Sequence, residues 1–322
     1  MQNQYNISQK IKKKSKSLGF LECAIIPAGF LEEEEEHFKD WLKAGMHGEM
    51  GYMARNVEKR LDPRVLFENA KTVIVVLQNY FPKETQKDPE APVLSKYAYG
   101  TDYHFVMKDK LKKLLAFIEE QVGPCNARPF VDSAPVLERA WARRAGLGWV
   151  GKNSNLISVE HGSFFFIGEL ILDIELPYDQ PKQATDHCGT CTRCIDACPT
   201  KAIVTNRVVD ARKCISYQTI ELKGKLDENL KGQFENRVFG CDICQDVCPW
   251  NLKSIPHEED SFEPHPQLQE LTKTDWHQME RPLFNELFKN SAVKRAGFKG
   301  LKRNLEFIQP EMVIGKRTGN NA

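Results

Sequence analysis

The segment HCGTCTRCIDACPT, residues 187–200, spaces Cys188, Cys191, Cys194 and Cys198 as C-x2-C-x2-C-x3-C and follows the last with Pro199. This is the bacterial ferredoxin run, in which three close thiolates wrap one 4Fe–4S cubane and the fourth reaches a second cluster. A second run is therefore expected. FGCDICQDVCPWN, residues 239–251, supplies Cys241, Cys244 and Cys248 ahead of Pro249, and Cys214 is the displaced first member. The crossover rule then assigns Cys188, Cys191, Cys194 and Cys248 to one cluster and Cys198, Cys214, Cys241 and Cys244 to the other. Zinc ribbons are the competing use of two C-x2-C pairs. The paired C-P endings and the total of eight thiols favour iron–sulfur, and no C-x3-C-x2-C run of the radical-SAM type occurs.

Outward from the cysteines, the chain is ordinary. A chain of 322 residues buries a core without cross-links, so the cysteine cluster is not a disulfide framework. Lys plus Arg total 45 against 44 Asp plus Glu, which excludes a broadly basic nucleic-acid coat but not a local basic surface. The N-terminus has no apolar signal region, and the longest aliphatic run, Val73–Leu77, is too short for a membrane span. The expectation is a cytoplasmic chain with no membrane partner. Cys23 and Cys125, outside the cluster, read as small buried hydrophobes.

Before the cysteines, strand-like and helix-like stretches alternate. A basic helix is expected over 6–17, a strand at Cys23–Pro27, and a helix with a solvated acidic start over 31–44. Thr72–Leu77, apolar on both faces, reads as a central strand. Leu111, Leu114, Leu115, Ile118 and Val122 mark a helix over 104–122, closed by Gly123-Pro124. Arg128–Val131 reads as a strand, and a helix is expected from Pro135 to about 145. Residues 155–176 read as a β-hairpin turning at Glu160-His161-Gly162. Gly146, Gly148 and Gly151 match G-x-G-x-x-G, but a helix precedes and a strand follows. That is the reverse of a dinucleotide site, so the motif reads as a turn for close approach to a large ligand or another chain. The chain is thus expected to be α+β. A mixed α/β domain spans 1–180, a ferredoxin-like two-cluster domain 181–255, and a short helical region 256–322. The insertion at 215–240 is expected to pack on the first domain or to reach a substrate.

Five stretches carry a resemblance: GYMARNVEKRLDPR (51–64), KYAYGTDYH (96–104), VDSAPVLERAWARRAGLGWVGKNSNLIS (131–158), CISYQTIELKG (214–224) and FGCDICQDVCPWN (239–251). Together they resemble the signature of the epoxyqueuosine reductases, over roughly residues 5–308. Many members of that family continue into HEAT-type helical repeats, which this chain lacks. The resemblance implies a cobalamin-binding N-terminal domain similar to the corrinoid part of reductive dehalogenases, with two 4Fe–4S clusters beside it. The implied reaction is reduction of the epoxide of epoxyqueuosine at the wobble base of tRNA. A free electron-transfer module and a reductive dehalogenase are the competing functions.

By the same resemblance, Asp132 takes the proton-donor position. An N-cap for the following helix, with Ser133 as competitor, is the alternative reading. Arg139, Lys152, Asn153, Ser154, Ser216 and Asp242 lie in the matching motifs and are implied contacts to the corrin. No D-x-H-x-x-G corrinoid signature is present, and His104 reads as a substrate-side or packing residue rather than a cobalt ligand. Lys299, Lys302 and Arg303, with Lys294 and Arg295, form a basic helical face expected to meet tRNA phosphates; Lys12, Lys13, Lys14 and Lys16 are a second candidate. The expected partners are tRNA carrying epoxyqueuosine and a reductant of flavodoxin or ferredoxin type, and the expected state is a monomer.

Overall fold

A computed structural model describes residues 2–182 and 184–308. Four strands form the central sheet: β1 (Glu22–Pro27), β2 (Thr72–Asn79), β3 (Ala127–Phe130) and β4 (Phe165–Leu172). Their order is β1-β2-β4-β3, and every pairing is antiparallel. β2 is buried along nearly its whole length because both faces of the sheet are covered. Ile74 and Val76 point into one core and Val73, Val75 and Leu77 into the other. A continuous apolar run therefore reports two covered faces here, without a parallel sheet.

One face is covered by the helices α1 (Gln2–Ser17) and α3 (Tyr103–Val122), the latter numbered after α2 (Glu32–Lys43). Met107, Leu111, Leu114 and Ile118 are fully buried. Each contributes about 2 kcal/mol by leaving water. Asp102 starts α3, its side chain accepting the His104 N–H at 3.0 Å. α4 (Glu138–Arg144) covers the other face through Ala140, Trp141 and Ala142. It begins at Glu138, three residues later than expected, with Leu137 at the N-cap position rather than Asp132 or Ser133. Neither of those residues is its N-cap.

The expected hairpin over 155–176 is not formed. Leu156–Ile157 pairs with Trp149–Val150, and only the Ser158–Gly162 bridge closes the turn. The longer partner of β4 is β2, fixed by eight register pairs, because two long, mainly apolar strands bury more together than either would with the short NLISV run. The glycine motif closes against the chain itself. A Cβ on Gly148 would lie 2.3 Å from the Ile157 carbonyl oxygen, and one on Gly146 would lie 2.9 Å from Pro181.

The insertion packs on the first domain. Tyr217 Oη accepts the Glu49 N–H at 2.7 Å, in the space left by the missing Cβ of Gly48. Tyr217–Glu221 is a π-helix, with Leu222 N donating to Tyr217 O at 3.1 Å. The last helix, α5 (Gly297–Ile308), closes on this segment: Asn304 Nδ2 donates to the carbonyls of Thr219 (2.9 Å) and Val238 (2.8 Å). No helix among the described residues is long and apolar enough to cross a membrane.

Candidate active site and metal centres

The eight clustered thiols are brought into two neighbouring sets. Burial raises the Cys194 thiol first, and the charges of Cys188, Cys248 and Cys191 add to it. Cys248 feels Cys188 and Cys191 in the same way. In the other set, burial and then Cys214 and Cys241 raise Cys244, Cys214 acts on Cys241, and Cys198 acts on Cys214. These charge interactions run mainly within Cys188, Cys191, Cys194 and Cys248 and within Cys198, Cys214, Cys241 and Cys244. Cys244 also feels Cys194, which marks where the sets approach each other. A bound iron reverses the upward shifts, since its charge favours the thiolate. Cys23 and Cys125 stand apart, packed against the α3-side core.

The stretch 149–155 straps both sets to the first domain. Trp149 Nε1 donates to Cys188 Sγ at 3.5 Å, and Lys152 Nζ to the Gly189 carbonyl at 2.7 Å. Asn153 Nδ2 donates to the Cys244 carbonyl at 3.1 Å. Lys152 and Asn153 therefore reach the cluster loops. Asp242 is likewise engaged within the chain. It is 7% exposed, accepts the Lys96 N–H at 2.8 Å and the Ser95 hydroxyl, and lies 3.7 Å from Lys96 Nζ. A buried carboxyl with those partners is a structural clamp.

Asp132 stands at the end of β3 with φ of +50°, a left-handed conformation unusual for a residue with a side chain. Two contacts hold it there. Its N–H donates to Glu138 Oε1, and Tyr103 Oη donates to its Oδ2 at 2.7 Å. His104 Nε2 lies 3.9 Å from the same oxygen, while His104 Nδ1 is 2.7 Å from Asp102 Oδ1. Burial alone would raise the Asp102 carboxyl; the bonds from the His104 ring and backbone outweigh it and hold it low. His104 thus faces Asp132 with its other nitrogen fixed by Asp102. The Asp132 side chain is 61% exposed.

Other parts of the chain converge on Asp132. Burial, then the charge of Glu221, pushes Tyr52 up to about 12, and Arg295 and Asp132 also act on it. Burial and Asp132 raise Tyr97 strongly. Arg139 donates to the Ser154 carbonyl. Ser154 Oγ and Arg60 Nε are buried without a partner among the described residues. Ser216 precedes the π-helix, half-buried. Tyr103, Glu138, Tyr52 and Arg60 were not singled out in the sequence, although all four lie inside the quoted motifs. Nothing in those strings distinguishes a site tyrosine from a core one.

The basic face of α5 is mostly turned inward. Arg303 donates to the carbonyls of Leu222 and Gly224, both at 2.7 Å, and to that of Gln218 at 3.0 Å. Lys302 Nζ donates to the His277 carbonyl at 2.7 Å. Arg295 forms a two-pronged pair with Glu221 at 2.7 and 2.8 Å. Arg303 therefore binds the π-helix segment and Lys302 the helix Lys273–Gln278, which turns both inward rather than toward a phosphate. Lys299 and Lys294 remain exposed. Of the N-terminal set, Lys12 pairs with Asp179 at 2.5 Å.

A family model described as a 4Fe-4S double cluster binding domain matches residues 187–251. A second, described as "Epoxyqueuosine reductase QueG, DUF1730", matches residues 60–133. The epoxyqueuosine reductase of Cellulophaga algicola is 55% identical over 302 residues, covering 94% of this chain and 98% of its own. The chain belongs to the epoxyqueuosine reductase family. The Escherichia coli epoxyqueuosine reductase is 42% identical over 304 residues, of which the match covers 79%, so that member is longer. Among solved structures, an epoxyqueuosine reductase bound to an epoxyqueuosine-modified tRNA-Tyr stem loop aligns with a TM-score of 0.86 and 28% identity, covering 94% of this chain and 81% of that one. The Bacillus subtilis epoxyqueuosine reductase, solved with its catalytic aspartate loop swung out of the active site, aligns at 0.85 with the same identity and coverage. Epoxyqueuosine reductases are oxidoreductases that act on tRNA, and this member carries the double 4Fe–4S cluster domain.

Proposed function

We propose that this chain reduces the epoxide of epoxyqueuosine in the tRNA anticodon to give queuosine, with Asp132 as the proton donor. The carrying observation is Asp132 itself: held in a left-handed conformation by Glu138 and Tyr103, exposed, and faced by His104.

Two sets of four thiols fit two 4Fe–4S clusters: Cys188, Cys191, Cys194 and Cys248 for one, Cys198, Cys214, Cys241 and Cys244 for the other. Asp132 interacts with Arg60 and Arg139, Arg139 donates to the Ser154 carbonyl, and the unpartnered Ser154 Oγ and Arg60 Nε are available to a large ligand rich in amides, with Ser216 near the π-helix as a further candidate. These are the residues that would hold cobalamin. Bound cobalamin supplies a low-potential nucleophilic cobalt that the clusters feed one electron at a time.

The protein's own residues handle the proton and the geometry. An alkoxide leaves poorly, so the departing epoxide oxygen needs an acid. Tyr103 engages Asp132 Oδ2, which leaves Oδ1 to carry the proton toward substrate. His104, fixed by Asp102, stands on the same side to orient polar groups of the nucleoside. Lys299 and Lys294 meet tRNA phosphates. The reductant is a carrier of flavodoxin or ferredoxin type, and the enzyme works as a cytoplasmic monomer. The deciding experiment is anaerobic reconstitution with iron, sulfide and cobalamin, followed by assay on tRNA containing epoxyqueuosine. Conversion to queuosine supports the reading. Iron–sulfur absorption with neither corrin uptake nor conversion would favour a bare electron-transfer module.

A further inference from the structure

Trp149 is 2% exposed and packs with Ile157 and Cys248, against Cys188 and Trp250. A buried indole N–H needs an acceptor. Trp149 gives its single donor to a sulfur, Cys188 Sγ, at 3.5 Å. The ring is aimed from several sides. Trp149–Val150 pairs with Leu156–Ile157, and Gly148 lies so close to the Ile157 carbonyl that no side chain fits there. The indole meets His187 at 4.9 Å and Trp250 at 5.1 Å, both near edge-on, and His187 lies 5.5 Å from Trp250. His187 precedes Cys188, and Trp250 follows Cys248 by two residues. Three rings thus meet beside one thiol set, and the one supplied by the first domain presents an N–H to a ligand sulfur.

A cysteine sulfur that ligates a 4Fe–4S cluster is a thiolate. Reduction adds one electron, and part of the added negative charge rests on the ligand sulfurs. An N–H donor therefore binds the reduced cluster more tightly than the oxidised one, and the difference appears as a higher reduction potential. We infer that Trp149 sets the potential of the cluster held by Cys188: its N–H stabilises the reduced form and eases uptake of an electron from the reductant. One electron moves from reductant to cluster, and no bond breaks. The inference rests on the thiols holding two 4Fe–4S clusters, with Cys188 in the one that Cys248 completes. Trp149 acts through Cys188 and touches no substrate.

The other set draws its donors from different places. The Ala202 N–H donates to Cys198 Sγ at 3.3 Å, and Asn155 Nδ2 donates to Cys244 Sγ at the longer distance of 3.9 Å. The Trp149 bond ends on Cys188, so its effect falls on one cluster of the two. Shielding by the ring and donation by the N–H are separable. Phenylalanine at 149 retains an aromatic ring beside His187 and Trp250 and has no donor. Phenylalanine at 250 changes the same ring group and leaves the bond to Cys188 intact.

The test is voltammetry of the full chain reconstituted with iron and sulfide, without cobalamin, which reads one wave for each cluster. In Trp149→Phe one wave should move to lower potential by the equivalent of about tenfold in the reduction equilibrium, about 59 mV for one electron, and the other should stay. Trp250→Phe should leave both waves near their wild-type positions. The moving wave should be the one that persists in Cys198→Ala. If Trp149→Phe does not hold iron, the benzothienyl analogue of tryptophan at 149 keeps the ring shape with sulfur in place of the N–H and should give the same shift. Pulsed electron paramagnetic resonance gives a second readout. Protein labelled with 15N in its indoles should show a 15N coupling to the reduced cluster that is lost in Trp149→Phe and kept in Trp250→Phe. Unmoved waves in the position-149 variants, an equal shift in Trp250→Phe, movement of the wave that Cys198→Ala loses, or no 15N coupling would overturn the tuning while leaving two clusters in place. Zinc in the thiol sets and no waves at all would overturn the clusters, and the tuning with them.

Discussion

Tyr103 Oη donates to Asp132 Oδ2 at 2.7 Å, joining the first turn of α3 to the residue two positions beyond β3. The bond reaches the edge of the sheet from the helix that covers one of its faces, and fixes one carboxyl oxygen of a side chain otherwise open to solvent. The Tyr103 ring is itself held, stacked on Phe166 with centroids 4.1 Å apart and planes 6° apart.

Asp132→Asn keeps the side chain's shape and its hydrogen bond with Tyr103 but has no acidic proton. It should fold, assemble both clusters and bind cobalamin, and lose on the order of a hundredfold or more in kcat. Tyr103→Phe keeps the stacked ring and frees Asp132 Oδ2. It should lower kcat by roughly tenfold with little change in KM, as expected for misorientation of a proton donor. Steady-state assays on epoxyqueuosine-containing tRNA measure both, and unchanged rates in both would remove Asp132 from the chemistry.

Metal analysis tests the thiol sets. Anaerobically prepared protein should contain about eight iron atoms and eight acid-labile sulfides per chain, with little zinc. Cys198→Ala should damage the cluster of Cys214, Cys241 and Cys244. Loss confined to the cluster of Cys188, Cys191 and Cys194, seen by electron paramagnetic resonance, would reverse the pairing.

On α5, exposure separates two kinds of basic residue. Lys299→Glu should weaken tRNA binding and reduce its salt slope by about one or more. Arg303→Ala instead strips three backbone carbonyls of their donor and should cost about 2–3 kcal/mol of stability. A salt slope that shifts with Arg303 and ignores Lys299 would place the tRNA on another surface.

The Glu138 carboxyl gives the unfolding curve a pH dependence. Burial, then the charge of Asp132, raises it from 4.5 to about 8. The folded protein therefore binds this proton more tightly than the unfolded chain does. The resulting stability is complete below about pH 4.5 and drains away as pH rises through about 8. Cofactor-free protein should lose a few degrees of Tm from this group between about pH 6 and 9, and Glu138→Gln should flatten that part of the curve. An equal slope in the variant would assign the effect to other groups.

The cysteine runs, the α3 stripe and the buried strand at Thr72–Leu77 were legible because each is a local pattern: a ligand spacing, a 3.6-residue period, an unbroken apolar run. The partner of β4 was not legible. Nearness in sequence favoured NLISV, whereas burial across long separations favoured β2. The site divided in the same way. Asp132 stood out through its motif. Its supports, Tyr103 and Glu138, and the inward turn of Arg303 and Asp242 depend on which segments meet in space.

The interleaving of the two thiol sets has a temporal side. One set needs Cys188, Cys191, Cys194 and Cys248; the other begins at Cys198 and is complete only at Cys244. A chain emerging from the ribosome therefore carries an incomplete pair of sites throughout the synthesis of residues 188–243. Both sites then reach their full complement within four residues of each other. On the crossover pairing, the first run lacks its fourth thiolate until Cys248 is made. Full ligation of both sites is therefore a late, joint event. It comes after the first domain, which the 149–155 strap attaches to both sets, has left the ribosome and can brace the site.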